Sequence, residues 1–555
     1  MKRHYAEIVK EAGLRIPALL EKQCQDPESA HHGGLLTPER GYSEPGHSSG
    51  AIDSLLSVYL CPEAALEGDR GLLDSAELYA DHLLNAQHED GTIDLRETNF
   101  HDATMIGFCT QTLAFTLKLV QAHIDARPEL ATIESKIETF LRRGGEGMLT
   151  GGFHTPNHRW VLASALTLLW QQFDDERFRR EAELYLAEGI DCTDQGEYTE
   201  RSTGIYNVVN NRSLLIMAEI LQRPELMDPV QRNLRMVLHY LEPDGSLFTA
   251  ASRRQDRGRT SYPISYYPNF LGMAHQTRDP LFAGVADLIL EQARAGRRSG
   301  DGLGAMLTQY LLSASLREVD LPMIAPEPTY TLYNPASGIV RQRHQQMSIT
   351  LLEGATTFMY IAIGEVRLNL KIATTFYGDR GRFTPQELGG GVEDEWRLFE
   401  HKRWGFKRPF AEPPGTSDWD QMPHETRAEV QMRDLDLEVN VRWQPQESAV
   451  EVDYRSQGLE GVLYKLELAM SAGGQLQTDQ LRLPCGAGQS AVLRGGGEVI
   501  YRLGSEAVRI TGGSDEHNST EAMRGSEPAD VSAFTLYCTD VTPVEGTLRI
   551  ERALS

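Results

Sequence analysis

GGFHTPNHRWVLASALTLLWQQF, residues 151–173, is one unit of a pattern that runs through the first half of the chain. It opens on a Gly-Gly turn, passes through polar and ring-bearing side chains, and ends in a helical stretch. In that stretch apolar residues recur at three- and four-residue spacings, interrupted by Ala and polar positions as helix packing requires. The same periodicity returns in SAELYADHLLNAQ (75–87), CTQTLAFTLKLVQAHI (109–124), LLIMAEILQR (214–223) and LFAGVADLILEQARA (281–295). Glycine-containing turns fall at Gly33-Gly34, Asp90-Gly91, Gly151-Gly152, Gln195-Gly196, Asp244-Gly245 and Asp301-Gly302, at intervals of 57, 61, 44, 49 and 57 residues. Each interval accommodates two helices and their connections. Six helical hairpins closing on themselves predict an (α/α)6-type toroid, or an incomplete toroid where one pair is missing; the alternative is an irregular helical domain with coincidental glycines.

The character changes after Asp320. LPMIAPEPTYTLYNP is Pro-rich, and beyond it come short alternating segments such as MSITLLE, VRLNLKIAT, LEVNVRW, AVEVDY and TLRIER, separated by Gly, Asp and Asn turns. That pattern predicts an antiparallel β-sandwich. The expectation is therefore a multidomain α+β chain: a helical toroid over 1–320, a linker over 321–332 and a sandwich over 333–555. Its 555 residues are too many for one core.

Composition narrows the function classes. A formal net charge of −25 argues against nucleic acid and anionic membranes as partners, although a basic pocket can coexist with an acidic exterior. Apolar runs fall short of the ~18 residues of a membrane span. The N-terminal MKRHYAEIVKEAGLRIPALLEKQ carries charges every few residues and reads as an amphipathic helix, not a signal peptide, so cytoplasm is the expected compartment. The six scattered cysteines predict free thiols, without a disulfide framework or a zinc site. A homo-oligomer is compatible with all of this.

In a closed hairpin array equivalent loops emerge at one end, so residues just past each turn should line a common cleft. Those positions hold Tyr42, Glu44 and His47, then Asn99, His101 and Asp102, then Asn157 and His158, then Glu200, Arg201 and Tyr206. ASRRQDRGRTSYPISYY (251–267) follows, with Arg253, Arg254, Arg257, Arg259, Tyr262 and Tyr266. Guanidinium forks suit carboxylate or sulfate groups, and rings suit sugar stacking. Taken singly, each residue also has a structural reading: His158 as a packed helix-opening residue, Tyr206 as core, Asp102 as a helix cap, the arginine loop as a solvated surface. From the second half, YGDRGRFTPQELGGG (377–391) and EHKRWGFKRP (400–409) read as loops, and His344 and His401 as secondary candidates for a catalytic or metal group.

GGFHTPNHRWVLASAL (151–166), DQGEYTERSTGIYNVVNNRSLL (194–215) and SGIVRQRHQQMSITLLEG (337–354) resemble segments of the toroid-plus-β-sandwich polysaccharide lyases, the heparinase II/III-like and alginate lyase group. In that group an Asn-His pair opens an inner helix and a Tyr follows one hairpin later, matched here by Asn157-His158 and Tyr206. The resemblance implies β-elimination on a uronic-acid glycan, leaving a 4,5-unsaturated end. A donor such as Asn157 neutralises the uronate carboxylate, a base removes the C5 proton, and an acid protonates the departing O4. His158 and Tyr206 are suited to these roles, with Asn99, His101, Arg201, Arg253, Arg254, Arg257, Tyr262 and Tyr266 expected to bind substrate. No cofactor is required, and the resemblance leaves room for a structural divalent metal in the sandwich. Glu200-Arg201 departs from the group, where a His or Gln-Ser stands in some members. Without an export signal, the expected substrate is an oligosaccharide more than intact polymer. The rival reading is a toroid glycoside hydrolase with Asp102 and Glu200 as paired carboxyls, and Asp53 or Glu44 in reserve; a third is a non-catalytic binding protein.

Overall fold

The computed structural model describes residues 2–37, 39–299, 303–318, 320–392, 394–494, 496–524 and 527–553. The chain divides into two compact units, one of Met1–Leu241 with Gly245–Pro326, the other of Glu242–Asp244 with Glu327–Ser555.

In the first unit helices alternate between an inner and an outer layer. His47–Tyr59, Ala103–Gln121, Pro156–Phe173, Tyr206–Ile220 and Tyr267–Thr277 pack successively against one another as the inner wall. Arg70–Asn85, Ala131–Thr150, Glu176–Ala187, Met227–Leu238 and Pro280–Arg294 lie outside them. Sequence sets the layer. His47–Tyr59 buries 11 of its 13 residues, whereas Glu176–Ala187 buries only Phe178, Ala182, Tyr185 and Leu186, the stripe of an amphipathic surface helix. Ala103–Gln121 is long and apolar enough to cross a membrane, but 72% of its apolar window is buried inside the protein.

The sixth pair differs from the expected hairpin. The short inner helix Leu307–Leu312 pairs with Lys2–Glu21, the first helix of the chain. A ring needs a partner on both flanks of its last inner helix, and the chain's opening segment supplies it. Thr308 and Thr116 both donate to Oδ1 of buried Asp53, at 2.6 and 2.8 Å. Across the seam the Tyr267 hydroxyl lies 2.8 Å from that of Tyr310 and 2.9 Å from Nδ1 of His4. Asp53 is thus a closure residue, not a reserve acid. The Asp301-Gly302 turn lies outside the described residues.

The other five turns each fall between an outer helix and the next inner one, which gathers the inner-helix N-termini at one rim. Two of them show why glycine recurs. Gly91 and Gly196 adopt φ of +82° and +88°, and a Cβ there would stand 2.0 Å from the Arg143 carbonyl and 2.3 Å from that of Arg232. Both carbonyls belong to the outer helix of the following pair, so the left-handed conformation and the close approach exclude any side chain.

The second unit stacks a nine-stranded sheet and an eight-stranded sheet. Neighbouring strands are antiparallel, except that Ser490–Val492 runs parallel to Ala533–Val541. Along Glu429–Gln444 the alternation places Leu435, Leu437, Val439, Val441 and Trp443 in the core with Ile361, Leu368 and Leu370. Met347–Leu352 is buried at every position, because its polar side is covered too. There Arg341, 0% exposed, donates to Glu242 Oε1 at 3.0 Å and to Thr350 Oγ1 at 2.6 Å, and Ser348 donates to the same carboxylate. A buried guanidinium is tolerated only with such partners.

Two expectations are corrected. The strand Thr329–Asn334 begins inside the stretch assigned as linker, its alternation masked by flanking prolines. Most of EHKRWGFKRP belongs to the strand Glu395–Lys407, paired with Glu429–Gln444 in an antiparallel ladder whose register shifts between Val430 and Arg433. His344 ends the strand Ile339–His344, and His401 Nδ1 lies 2.7 Å from Asp436.

His82 ties the first turn to the ring, with Nε2 and Nδ1 each 2.9 Å from the hydroxyls of Ser43 and Ser48. Burial lowers its pKa to about 4. The folded state keeps this imidazole neutral, while the unfolded chain takes up a proton below about pH 6.5. His82 therefore contributes stability above pH 6.5 that is lost as pH falls toward 4. The destabilisation caused by His82→Asn, measured by denaturant titration, is expected to shrink across that window by about 1 kcal/mol per pH unit. A constant difference from pH 7 to 4.5 would contradict this.

Candidate functional site

Asn157 and His158 lie in the first turn of Pro156–Phe173, where the turn after the outer helix delivers the chain to the rim. The next inner helix begins at Tyr206. The loop before it is fixed from beneath by a polar chain. Buried Tyr198 donates to Asn211 Oδ1 at 2.9 Å, Asn211 Nδ2 to Asn233 Oδ1 at 2.8 Å, and Asn233 Nδ2 to the Gly196 carbonyl at 2.8 Å. This anchoring sets Glu200 against Asn157, whose Nδ2 lies 3.0 Å from both carboxylate oxygens and 3.2 Å from Thr155 Oγ1.

A second loop, from the following repeat, is fastened to the first through Asp256. This buried carboxylate accepts from Ser202 Oγ at 2.9 Å, from the Gly204 amide at 2.8 Å and from Ser252 Oγ. The Arg253 amide adds a 3.1 Å bond to the Glu200 carbonyl. Arg254 is thereby carried in beside the two helices. Its Nε is 3.4 Å from Glu200 Oε1, and its guanidinium sits over the Tyr206 ring at 5.1 Å. Gln255 Nε2 donates to the Tyr206 hydroxyl oxygen, leaving that group's own proton to be given elsewhere.

His158 contacts ring neighbours, with His154 at 5.1 Å and Phe108 at 6.5 Å, both edge-on. Among the described residues its Nδ1 is buried without a hydrogen-bond partner. Burial lowers its pKa to about 4 against the opposing charge of Asp102, so the imidazole is neutral at neutral pH. Burial also raises the pKa of Glu200, opposed by the Asn157 amide and by Arg254. The site thus offers a neutral imidazole, a phenol, a guanidinium and a buried carboxyl at the N-terminal ends of neighbouring inner helices, where backbone amides favour negative charge.

Of the residues read from sequence, Asn157, His158, Glu200, Tyr206 and Arg254 come together. Arg253 and Arg257 are exposed, and Arg201 adopts a left-handed φ of +51°. Tyr262 is half-buried, its amide donating to Ser299 Oγ at 3.0 Å. Tyr266 is corrected: it is 0% exposed and its hydroxyl donates to the Thr203 carbonyl at 2.7 Å, so no ring face is free for a sugar. Asn99 and His101 lie on the small strand Asn99–Asp102. Asn99 Nδ2 donates to Asp102 at 2.8 Å, and His101 Nδ1 is 2.6 Å from Asp90 with its ring stacked on His88. Asp102 is the N-cap of Ala103–Gln121, accepting from the Thr104 and Met105 amides at 2.7 and 3.2 Å. Among the described residues, no three or more His, Cys, Asp and Glu side chains are placed to hold a metal ion.

Sequence reading missed Asp256, Ser202, Gly204 and Gln255. Asp256 stands among four arginines, whose charge drew the attention, and nothing local distinguishes a carboxylate that will be buried.

No protein-family model matches the sequence, and no curated protein matches it either. Solved structures do match by shape. A Paenibacillus xanthan lyase aligns with 100% of this chain at a TM-score of 0.61 and 9% identity. The chain spans 57% of that protein's length. Heparinase III aligns over 98% of this chain and 85% of its own, with a TM-score of 0.55 and 11% identity. A chondroitin AC lyase from Streptomyces coelicolor A3, solved with chondroitin sulphate, aligns over 99% and 80%, with a TM-score of 0.54 and 12% identity. The fold is that of these lyases. At such identities the likeness concerns the path of the chain, and the chemistry rests on the residues above.

Asp256→Ala should cost roughly 2–3 kcal/mol by stranding three donors, and should lower site function further by releasing Arg254. Gly204→Ala is expected to act in the same direction, since its Cβ would meet Asp256 Oδ2 at 2.9 Å. Thermal melts that leave both variants at wild-type stability would contradict the anchoring role.

Proposed function

We propose that this protein is a lyase that cleaves a uronic-acid-containing glycan by β-elimination. The observation that carries the reading is the convergence of Asn157, His158, Tyr206 and Arg254 from three consecutive repeats on one rim of the toroid. The fold shared with glycan lyases supports it.

The C5 hydrogen of a uronate is a weak acid, because the electron pair left behind has only the adjoining carboxylate to receive it. A cation or amide at that carboxylate stabilises the dianionic intermediate. Among the described residues Arg254 Nε is buried without a hydrogen-bond partner, and its guanidinium is the donor best placed to engage it; Asn157 lies near it, both facing Glu200. Neutral His158 accepts the proton from C5, and the Tyr206 hydroxyl, its oxygen already taking a bond from Gln255, gives its proton to the departing O4. The products are a new reducing end and a C4–C5 double bond conjugated with the carboxylate. Xanthan and chondroitin, named for two structural neighbours, belong to the acidic glycan class we assign to the substrate. The hydrolase reading is weaker, since Asp102 is engaged as a helix cap and Glu200 by the Asn157 amide.

Incubation with uronate oligosaccharides should yield product absorbing in the ultraviolet; cleavage without that absorbance would exclude elimination. His158→Ala and Tyr206→Phe should each lower kcat by about 10²-fold or more. Because burial holds His158 near 4, the acid limb of kcat/KM should fall as pH drops through about 4, not through the ordinary histidine value. A limb centred near 6.5 would remove His158 as the base.

A further inference from the structure

The groups that would receive a substrate's carboxylate already hold one. Glu200, 4% exposed, spans the Asn157 amide at 3.0 Å through both oxygens and faces Arg254 Nε at 3.4 Å. The second amide hydrogen of Asn157 is directed to Thr155, and its Oδ1 is buried without a partner. Asn157 therefore has no donor left for a guest while Glu200 remains ionised and in place.

We propose that Glu200 is the resident occupant of the acid-group pocket, and that a guest carboxylate enters by exchange, Glu200 taking one proton from solvent as the guest takes over Asn157 and Arg254. This rests on the reading of the site as a uronate subsite only for the identity of the guest. Two carboxylates sharing one amide and one guanidinium cannot both stay ionised at low cost, whereas a carboxyl beside a carboxylate can donate a hydrogen bond to it. The surroundings favour the same outcome. The nearby Asp191 adds negative charge, although Arg159 at 3.2 Å and the Trp160 indole at 3.1 Å hold it. Neutral His158 adds no cation at neutral pH, and Tyr206 presents its ring to Arg254. Arg201 follows Glu200 in the chain, and Arg253 meets it through the backbone. Burial raises the pKa of Glu200, which favours its taking up the proton.

The test is calorimetric and needs no turnover. Short oligosaccharides containing glucuronate, galacturonate or mannuronate, and the same compounds with the carboxyl reduced to an alcohol, are titrated into the full-length protein in buffers of differing ionisation enthalpy. Wild type should take up close to one proton per acidic guest and none with the reduced guest, and its affinity should fall by about tenfold per pH unit in the alkaline range. Glu200→Gln should bind acidic guests with no uptake at this position, with affinity insensitive to pH and tighter than wild type at pH 8. No proton uptake by wild type overturns the proposal without reference to any variant. Failure of every acidic probe to bind Glu200→Gln, or an unchanged pH course in that variant, overturns it as well. The two readings fail separately: proton uptake without an ultraviolet-absorbing product removes elimination and keeps the exchange, and product formation without uptake does the reverse.

Discussion

One buried carboxylate, that of Asp256, holds the rim of the toroid in a working arrangement. It lies in a loop of one repeat and accepts its bonds from Ser252 in that loop and from Ser202 and Gly204 in the loop of the preceding repeat. That joint reinforces the direct ties of the Arg254 segment to Glu200 and Tyr206. The inner helices set where loops begin, but loops long enough to carry chemistry would otherwise sample many conformations. Burying an acid under three donors converts two flexible connections into a single surface. The polar chain from Tyr198 to Gly196 does the same from below, so the site is clamped on two sides by side chains that never meet a substrate.

The repeat was legible because its marks are local. A glycine forced into a left-handed turn against a neighbouring carbonyl, as at Gly91 and Gly196, leaves a signature that no other residue can mimic, and helical periodicity fills the intervals. Asn157, His158 and Tyr206 stood out because they follow such turns within about ten residues and sit in the segments that carry the resemblance. What could not be read was partnership. Nothing near Tyr266 announces that it points into the core while Tyr206 does not, and Asp102 and Glu200 look alike until one is found capping a helix and the other facing an amide. The sixth pair escaped because it joins Lys2–Glu21 to Leu307–Leu312, segments from opposite ends of the helical half, a relation that periodicity along the chain does not encode.

Charge is apportioned by location. The chain carries a formal −25, yet the rim gathers helix N-termini, whose unpaired amides carry partial positive charge, and brings Arg254 among them. For the acidic glycan proposed above, an acidic exterior would slow the approach while the local field at the rim would favour arrival. Selection for a particular guest is then made at short range, by the geometry around Asn157 and Glu200.

Closure of the ring by Lys2–Glu21 and Leu307–Leu312 has a consequence for how the protein is made. During synthesis the helix Lys2–Glu21 can meet the inner helix His47–Tyr59 early, but its other inner neighbour, Leu307–Leu312, is complete only after residue 312 has followed. Until then the growing ring is an open arc with two unsatisfied ends, at which the Asp53 carboxylate lacks Thr308 and the Tyr267 hydroxyl lacks Tyr310. Closure of the helical ring is therefore a long-range union of early and late segments, the slow kind of contact. A nascent chain paused before that point would expose a seam that chaperones could recognise.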